Sequence, residues 1–276
     1  MTKAEKILFI TQEITPFVPE TEISKVGREL PQAIQEKGRE IRTFMPKWGT
    51  INERRNQLHE VIRLSGMNLI INETDHQLII KVASIQPARM QVYFIDNEEF
   101  FKKRELTKDT TGKEYTDNDA RAICYARGVL ETIKKLRWCP DIVHCQGWMS
   151  ALAPIYIKEV FNEEPSFRDS KIVISIFEED FKNNFDIDFK KKLMLRGISE
   201  ESLKSLGDNP VDYTSLMKFA IDNSDGVIQH SAEVNQDVIN YAKQSGKPFL
   251  DYIADQDLFA DACNNFYDLV WESETK

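Results

Sequence analysis

Residues 6–10, KILFI, form an unbroken apolar run, and after the loop 12–22 the apolar positions Ile23, Val26, Leu30 and Ala33 recur at helical spacing until Gly38 stops them. A second apolar run follows at 41–45. Strand, amphipathic helix, glycine stop and strand within about forty residues make a βαβ unit, with parallel strands and a right-handed crossover. No other feature of the chain restricts its architecture as strongly.

The pattern repeats downstream. Asp117 stands as the cap of a long helix in which Ile123, Ala126, Val129, Leu130, Ile133 and Leu136 form one apolar stripe ending before Pro140. A strand at 142–145, a helix at 148–160 and a strand at 171–176 continue the alternation. Short helices are expected near 189–195 and 200–206, then a helix at 215–223, a strand at 226–229, and a helix capped by Ser231 reaching about 244. Between the two halves, 58–64, 69–71, 78–84 and 91–95 are β-rich runs separated by polar turns, read as an antiparallel excursion whose last strand returns to the main sheet. Residues 102–118 read as a loop. The expected fold is α/β: a single Rossmann-like, doubly wound, mostly parallel sheet with helices on both faces and a small antiparallel β excursion.

A hydrophobic fraction of 41% over 276 residues allows a well-buried core. The formal charge of −9 disfavours nucleic acid and acidic membrane surfaces as partners. No h-region or membrane-spanning run opens the chain, and Cys124, Cys139, Cys145 and Cys263 lack C-x-x-C spacing. A cytoplasmic chain with free thiols is expected, Cys145 being a small buried residue.

Ligands of doubly wound sheets gather at the carboxyl ends of the strands, here 11–21, 145–148, 177–180 and 230–232. The first of these loops holds neither G-x-G-x-x-G nor a P-loop, and Pro19, Glu20 and Glu22 are poor partners for phosphate. Glu178 and Glu179 are adjacent, so on extended chain they point apart and make a poor hydrolytic pair. No catalytic residue, cofactor or metal ligand set is assigned.

Four segments carry a family resemblance. Residues 12–48 keep Glu13, Pro16, Phe17, Val26, Leu30, Pro31, Ala33, Gly38, Met45 and Pro46 of the pattern S-E-x-x-P-F-x-K-T-G-G-L-x-D-V, L-P-x-A-L-x-x-x-G-H-x-V, M-P-x-Y. Residues 140–158, PDIVHCQGWMSALAPIYIK, follow P-D-I-V-H-A-H-D-W-H-T-A-L-x-P-x-Y; 171–181 follow a strand ending T-x-H-N; 215–239 keep Lys218, Ile221, Asp225, Val227 and Ser231. The chain thus resembles, over about residues 4–245, the N-terminal domain of bacterial glycogen synthase and plant starch synthase, one half of a GT-B glycosyltransferase. In that alignment Pro19 stands for the family's phosphate-side lysine and Thr21 and Glu22 for its paired glycines. Gln146, Gly147 and Met149 stand for His, Asp and His, and Ser175, Phe177 and Glu178 for Thr, His and Asn. Methionine cannot supply the hydrogen bond or charge stabilisation implied for that last histidine of the second motif.

The resemblance implies one domain over 1–276, in which 251–276 is a helix packing back on the sheet, with Leu258, Ala262, Phe266, Leu269 and Val270 at helical spacing, either the terminal helix of a GT-B enzyme or a local replacement. About thirty residues follow the matched region, too few for a second domain. The candidate ligand cleft comprises Glu13, Pro16, Gln146, Trp148, Ser175 and Glu178. Glu13 is either a partner for sugar hydroxyls or a surface carboxylate, and Trp148 either a stacking platform or an anchor for the following helix. His144 is expected to be a satisfied core residue, and His230 has no assigned role. Three functions are consistent with these losses: a glycan-binding or regulatory partner in glycogen metabolism without independent transfer, a glycosyltransferase completed by another subunit, or a protein-interaction module. The implied partners are an α-glucan or small carbohydrate and a protein of glycogen metabolism.

Overall fold

The computed structural model describes residues 3–273, so the outermost positions of the 1–276 span, 1–2 and 274–276, lie outside the described residues. β1 (Lys6–Thr11) and β2 (Glu40–Pro46) pair in parallel across α1 (Glu22–Glu36). The helix starts where it does because Thr21 and Ser24 form a reciprocal cap, Ser24 N–H on Thr21 Oγ1 at 3.0 Å and Thr21 N–H on Ser24 Oγ at 2.8 Å. It stops at Gly38, whose φ of 93° lies in the left-handed region.

The remaining parallel strands are β6 (Met90–Asp96), beside β2, and β7 (Ile142–Gln146), β8 (Lys171–Ile176), β9 (Gly226–Gln229) and β10 (Phe249–Leu250) in succession on the far side of β1. Antiparallel β5 (Thr74–Ile85) extends the edge next to β6 and pairs with both β3 (His59–Glu60) and β4 (Met67–Ile71). The architecture is the expected one, a mostly parallel sheet with an antiparallel excursion. Since the chain leaves β1 in one direction to β2 and returns on the other side at β7, the β1/β7 boundary is the topological switch point, where a crevice opens.

Two apolar layers sandwich the sheet. On one face α1 and α7 (Gln256–Glu272) cover Ile7, Phe9, Ile142 and Val173. On the other, α2 (Asn118–Leu136), α3 (Ala153–Glu159), α4 (Phe189–Leu193), α5 (Tyr213–Asp222) and α6 (Gln236–Gln244) enclose Leu8, Ile10, Phe44, Val143 and Ile174. Consecutive β1 residues feed opposite layers, so the strand is apolar throughout rather than alternating. Among the described residues no helix is long and apolar enough to cross a membrane.

Three local expectations are corrected. The helix expected at 148–160 is a 3-10 turn at Trp148–Ser150 followed by α3, which begins one residue before Pro154, so the ring lies in the first turn where its missing N–H breaks no helical hydrogen bond. Ser231 does not cap α6; Asn235 does, its Oδ1 accepting from Asp237 and Val238 N–H, and Ser231 Oγ instead donates to Glu22. The buried face of α7 carries Phe259, Cys263, Phe266, Tyr267 and Val270, whereas Leu258 and Leu269 are exposed.

Candidate functional site

The crevice is built from the chain just past β1 and β7. Gln12, the first residue after β1, extends into it: its Oε1 accepts the Met149 N–H at 3.2 Å, and its Nε2 donates to Glu179 Oε2 at 3.1 Å and Glu13 Oε1 at 3.4 Å. Glu179 Oε1 accepts the Trp148 N–H at 2.8 Å, and Glu13 Oε2 accepts from Thr21 Oγ1 at 2.7 Å. One amide therefore bridges two carboxylates, and the start of the 3-10 turn hangs on the same pair of side chains. Gly147 permits this: at φ 81° and ψ 156° its backbone is in a region open to glycine, and a Cβ there would lie 2.5 Å from Gln12 Oε1.

Burial pushes the Glu179 carboxyl up to about 8, and the nearby Glu13 charge adds to the shift, while the Trp148 N–H and Gln12 amide oppose it. Glu13 is raised for the same first reason. Between the ordinary glutamate value of 4.5 and about 8, the native state holds a proton that the unfolded chain has lost. Its stabilisation is complete below that window and falls as pH rises through it. With partial exposure discounted, about 2–4 kcal/mol should disappear between about pH 5 and pH 8.5. Thermal melts across that range are expected to show the decline, and Glu179→Gln, which keeps an acceptor for Trp148 N–H, should flatten it.

Beside the crevice, a cavity of about 400 Å³ lies between the loops before α2 and after β8. Trp148, Phe181, Phe185 and Tyr115 line it, with Glu114 and Asn183 among its polar walls. Trp148 packs on Phe181 and Phe185 at ring distances of 5.0 and 5.9 Å, and those two phenylalanines stack at 4.7 Å. The loops are held firmly. Glu114 accepts the N–H groups of Lys182 and Asn183 at 2.8–3.1 Å. Buried Arg121 donates to the Phe100 and Glu105 carbonyls and to Asn118 Oδ1, with its guanidinium over the Tyr115 and Trp48 rings.

The structure brings Glu13 and Trp148 to the same crevice. Pro16 is exposed on the rim of a separate open hollow. Gln146 and Ser175 are fully buried partners in the β7/β8 register, set back from the opening. Glu178 is exposed; its N–H donates to Ser231 Oγ. Its neighbour Glu179 is the carboxylate that turns inward. Sequence reasoning missed Gln12 and Glu179, and the opposed directions of adjacent extended residues were the available signal for the second: if one faces solvent, the other faces the crevice. His144 is a satisfied core residue, bonded through Nδ1 to Tyr267 and through Nε2 to Ser175, and burial pushes it down to about 3. Cys145 is buried and desolvation raises its thiol, which keeps it unreactive. Among the described residues no group of three His, Cys, Asp or Glu side chains could hold a metal ion.

A family model described as the starch synthase catalytic domain matches residues 6–250. The glycogen synthase of Chlorobium luteolum is 37% identical over 172 residues, 62% of this chain and 35% of that protein. That of Chlorobium phaeovibrioides is 34% identical over 212 residues, 76% of this chain and 43% of its own length. The chain thus spans less than half of these curated relatives. The catalytic domain of Starch Synthase IV from Arabidopsis thaliana, bound to ADP and acarbose, superposes with a TM-score of 0.73 at 16% identity, over 91% of this chain and 52% of that one, which shows a shared fold. By sequence match over most of its length and by its sheet, the chain belongs to the starch synthase catalytic domain family.

Proposed function

We propose that the chain acts as a glycan-binding or regulatory partner in glycogen metabolism and does not carry out glycosyl transfer by itself. The observation behind this reading is the occupied crevice. A nucleotide diphosphate needs N–H donors or cations. At this switch point Gln12 spans two carboxylates, Pro19 lacks an N–H, and Met149 holds the position that the family resemblance gives to histidine. Positioning and charge stabilisation supply most of the rate in group transfer, and both are weakened here.

The aromatic cavity, by contrast, suits an α-glucan. Sugar C–H faces pack on rings such as Phe181 and Tyr115, while Asn183 and Asn184 offer hydrogen bonds to hydroxyls. The purified chain is expected to bind maltooligosaccharides saturably, and Trp148→Ala, which removes the base of the Phe181/Phe185 cluster, to weaken binding about tenfold. Calorimetric titration measures both. A flat titration favours a protein-interaction module instead. Incorporation of labelled glucose from ADP-glucose into glycogen by the chain alone would defeat the reading, and incorporation only after a second protein is added would favour a transferase completed by another subunit.

A further inference from the structure

The crevice and the aromatic cavity meet at one loop and one carboxylate. Glu179 Oε1 holds the Trp148 N–H at 2.8 Å, and two residues further along the same loop Phe181 packs on the Trp148 ring at 5.0 Å. The far end of that loop is secured independently. Glu114 accepts the Lys182 and Asn183 N–H groups, and the Phe185 N–H donates to the Val211 carbonyl at 2.8 Å. At the near end it is the Glu179 side chain that ties the loop to the 3-10 turn presenting Trp148.

The groups facing Glu179 are all acidic. Glu13, from the loop after β1, accepts from the same Gln12 Nε2. Asp180 is the next residue in the chain, and its charge, like that of Glu13, opposes ionisation of Glu179. From α5 comes the Tyr213 hydroxyl, buried without a hydrogen-bond partner and pushed well above its ordinary value by burial and by the charges of Glu179 and Asp180. Among the described residues no cation pairs with Glu13 or Glu179. Gln12 cannot compensate, because its Oε1 is fixed on the Met149 N–H and its nitrogen is neutral. Two ionised carboxylates on one neutral amide repel each other, so one keeps a proton or one leaves. Glu13 is held, at 9% exposure, with Oε2 on the hydroxyl of the α1 cap Thr21. Glu179 is half-buried, and its neighbour Glu178 already faces solvent.

We propose that the proton on Glu179 switches the aromatic cavity: with Glu179 neutral the cavity is closed around Trp148 and binds glucan, and ionisation turns the carboxylate out to solvent and releases the Trp148 wall. The switch rests on the reading of that cavity as a glucan site. Its sign follows from linkage. The closed arrangement holds the carboxyl at about 8, whereas a carboxyl turned to water has the ordinary value of 4.5, so closure carries a proton between those values and is favoured by acid. Above that window both arrangements are ionised and the dependence levels off. Solvent reaching the half-buried group screens the coupling, and a net fall in glucan affinity of about tenfold from about pH 6 to pH 8.5 is expected.

Calorimetric titration of the intact protein with maltoheptaose over that range tests the switch, together with the 1H–15N amide resonance of Trp148 followed without sugar. The affinity should fall about tenfold, and the resonance should titrate over the same range. Glu179→Gln, which holds no proton to lose, should bind with a flat profile. Glu13→Gln removes the facing charge and should shrink the fall, while Glu178→Gln alters an exposed carboxylate and should keep it whole. Affinity that does not change with pH, a fall of full size in Glu179→Gln or Glu13→Gln, a fall lost in Glu178→Gln, or a Trp148 resonance that does not titrate would each overturn the switch and leave the glucan reading standing. Absence of binding at every pH would remove the glucan reading and the switch with it.

Discussion

Gly147→Ala is expected to lower the melting temperature by about 6–20 °C and to abolish maltooligosaccharide binding together. Two costs combine. The backbone at φ 81°, ψ 156° is in a region that costs an alanine about 1–3 kcal/mol. The new methyl group would also lie 2.5 Å from Gln12 Oε1 and 2.6 Å from its Cδ, so Gln12 must leave the crevice. Its departure strips an acceptor from the Met149 N–H and the bridging amide from Glu13 and Glu179. The Glu13 and Glu179 side chains then lose the donor they share. A total near 3–5 kcal/mol is reasonable for strain plus a broken buried network, and at about 2–4 °C per kcal/mol gives the stated shift. Binding fails for a separate reason, because the Trp148 N–H hangs on Glu179 and the ring moves with its backbone. Calorimetric melting and titration on one sample check both parts; a stable variant that still binds would show that Gln12 is not the keystone of the crevice.

Arg39→Ala should destabilise the protein by about 3–5 kcal/mol while leaving the crevice geometry intact in whatever fraction stays folded. Arg39 is 8% exposed and sits just before β2, where it ties α7 to the start of the sheet. Its Nε donates to Asn264 Oδ1 at 2.7 Å, and its two terminal nitrogens reach Asp268 at 3.0 Å each, the Asn264 carbonyl at 2.7 Å and the Ala4 carbonyl. Removing the guanidinium strands the Asp268 carboxylate, whose remaining contact is the Ala4 N–H at 2.9 Å. An uncompensated half-buried charge costs more than the lost contacts themselves. Chemical denaturation measures the loss. A change below about 1 kcal/mol would mean that apolar packing of Phe259, Phe266 and Val270 holds α7 by itself.

Much of the fold was legible because periodicity and punctuation act locally. The run KILFI, the 23/26/30 spacing and Gly38 specify β1, α1 and β2 without reference to the rest of the chain. Locality also explains the failures. Leu258 and Leu269 have the spacing of a buried stripe as surely as Phe259, Phe266 and Val270 do, and only the position of the sheet selects one stripe over the other. Ser231 has the chemistry of a helix cap, yet α1, remote in sequence, brings Glu22 close enough to take its hydroxyl proton.

The candidate site divides along the same line. From the sequence alone came the class of sheet, the strand ends where a ligand could sit, and the replacement of phosphate-binding and imidazole positions by Pro19 and Met149, since each is a matter of residue type at a position. The tertiary structure decided which of two adjacent glutamates faces inward, that Gln12 fills the space Gly147 leaves open, and that His230 ends a hydrogen-bond chain begun on the last helix. These are contacts between segments more than a hundred residues apart for Gln12, and their directions depend on the twist and register of strands that no local pattern records.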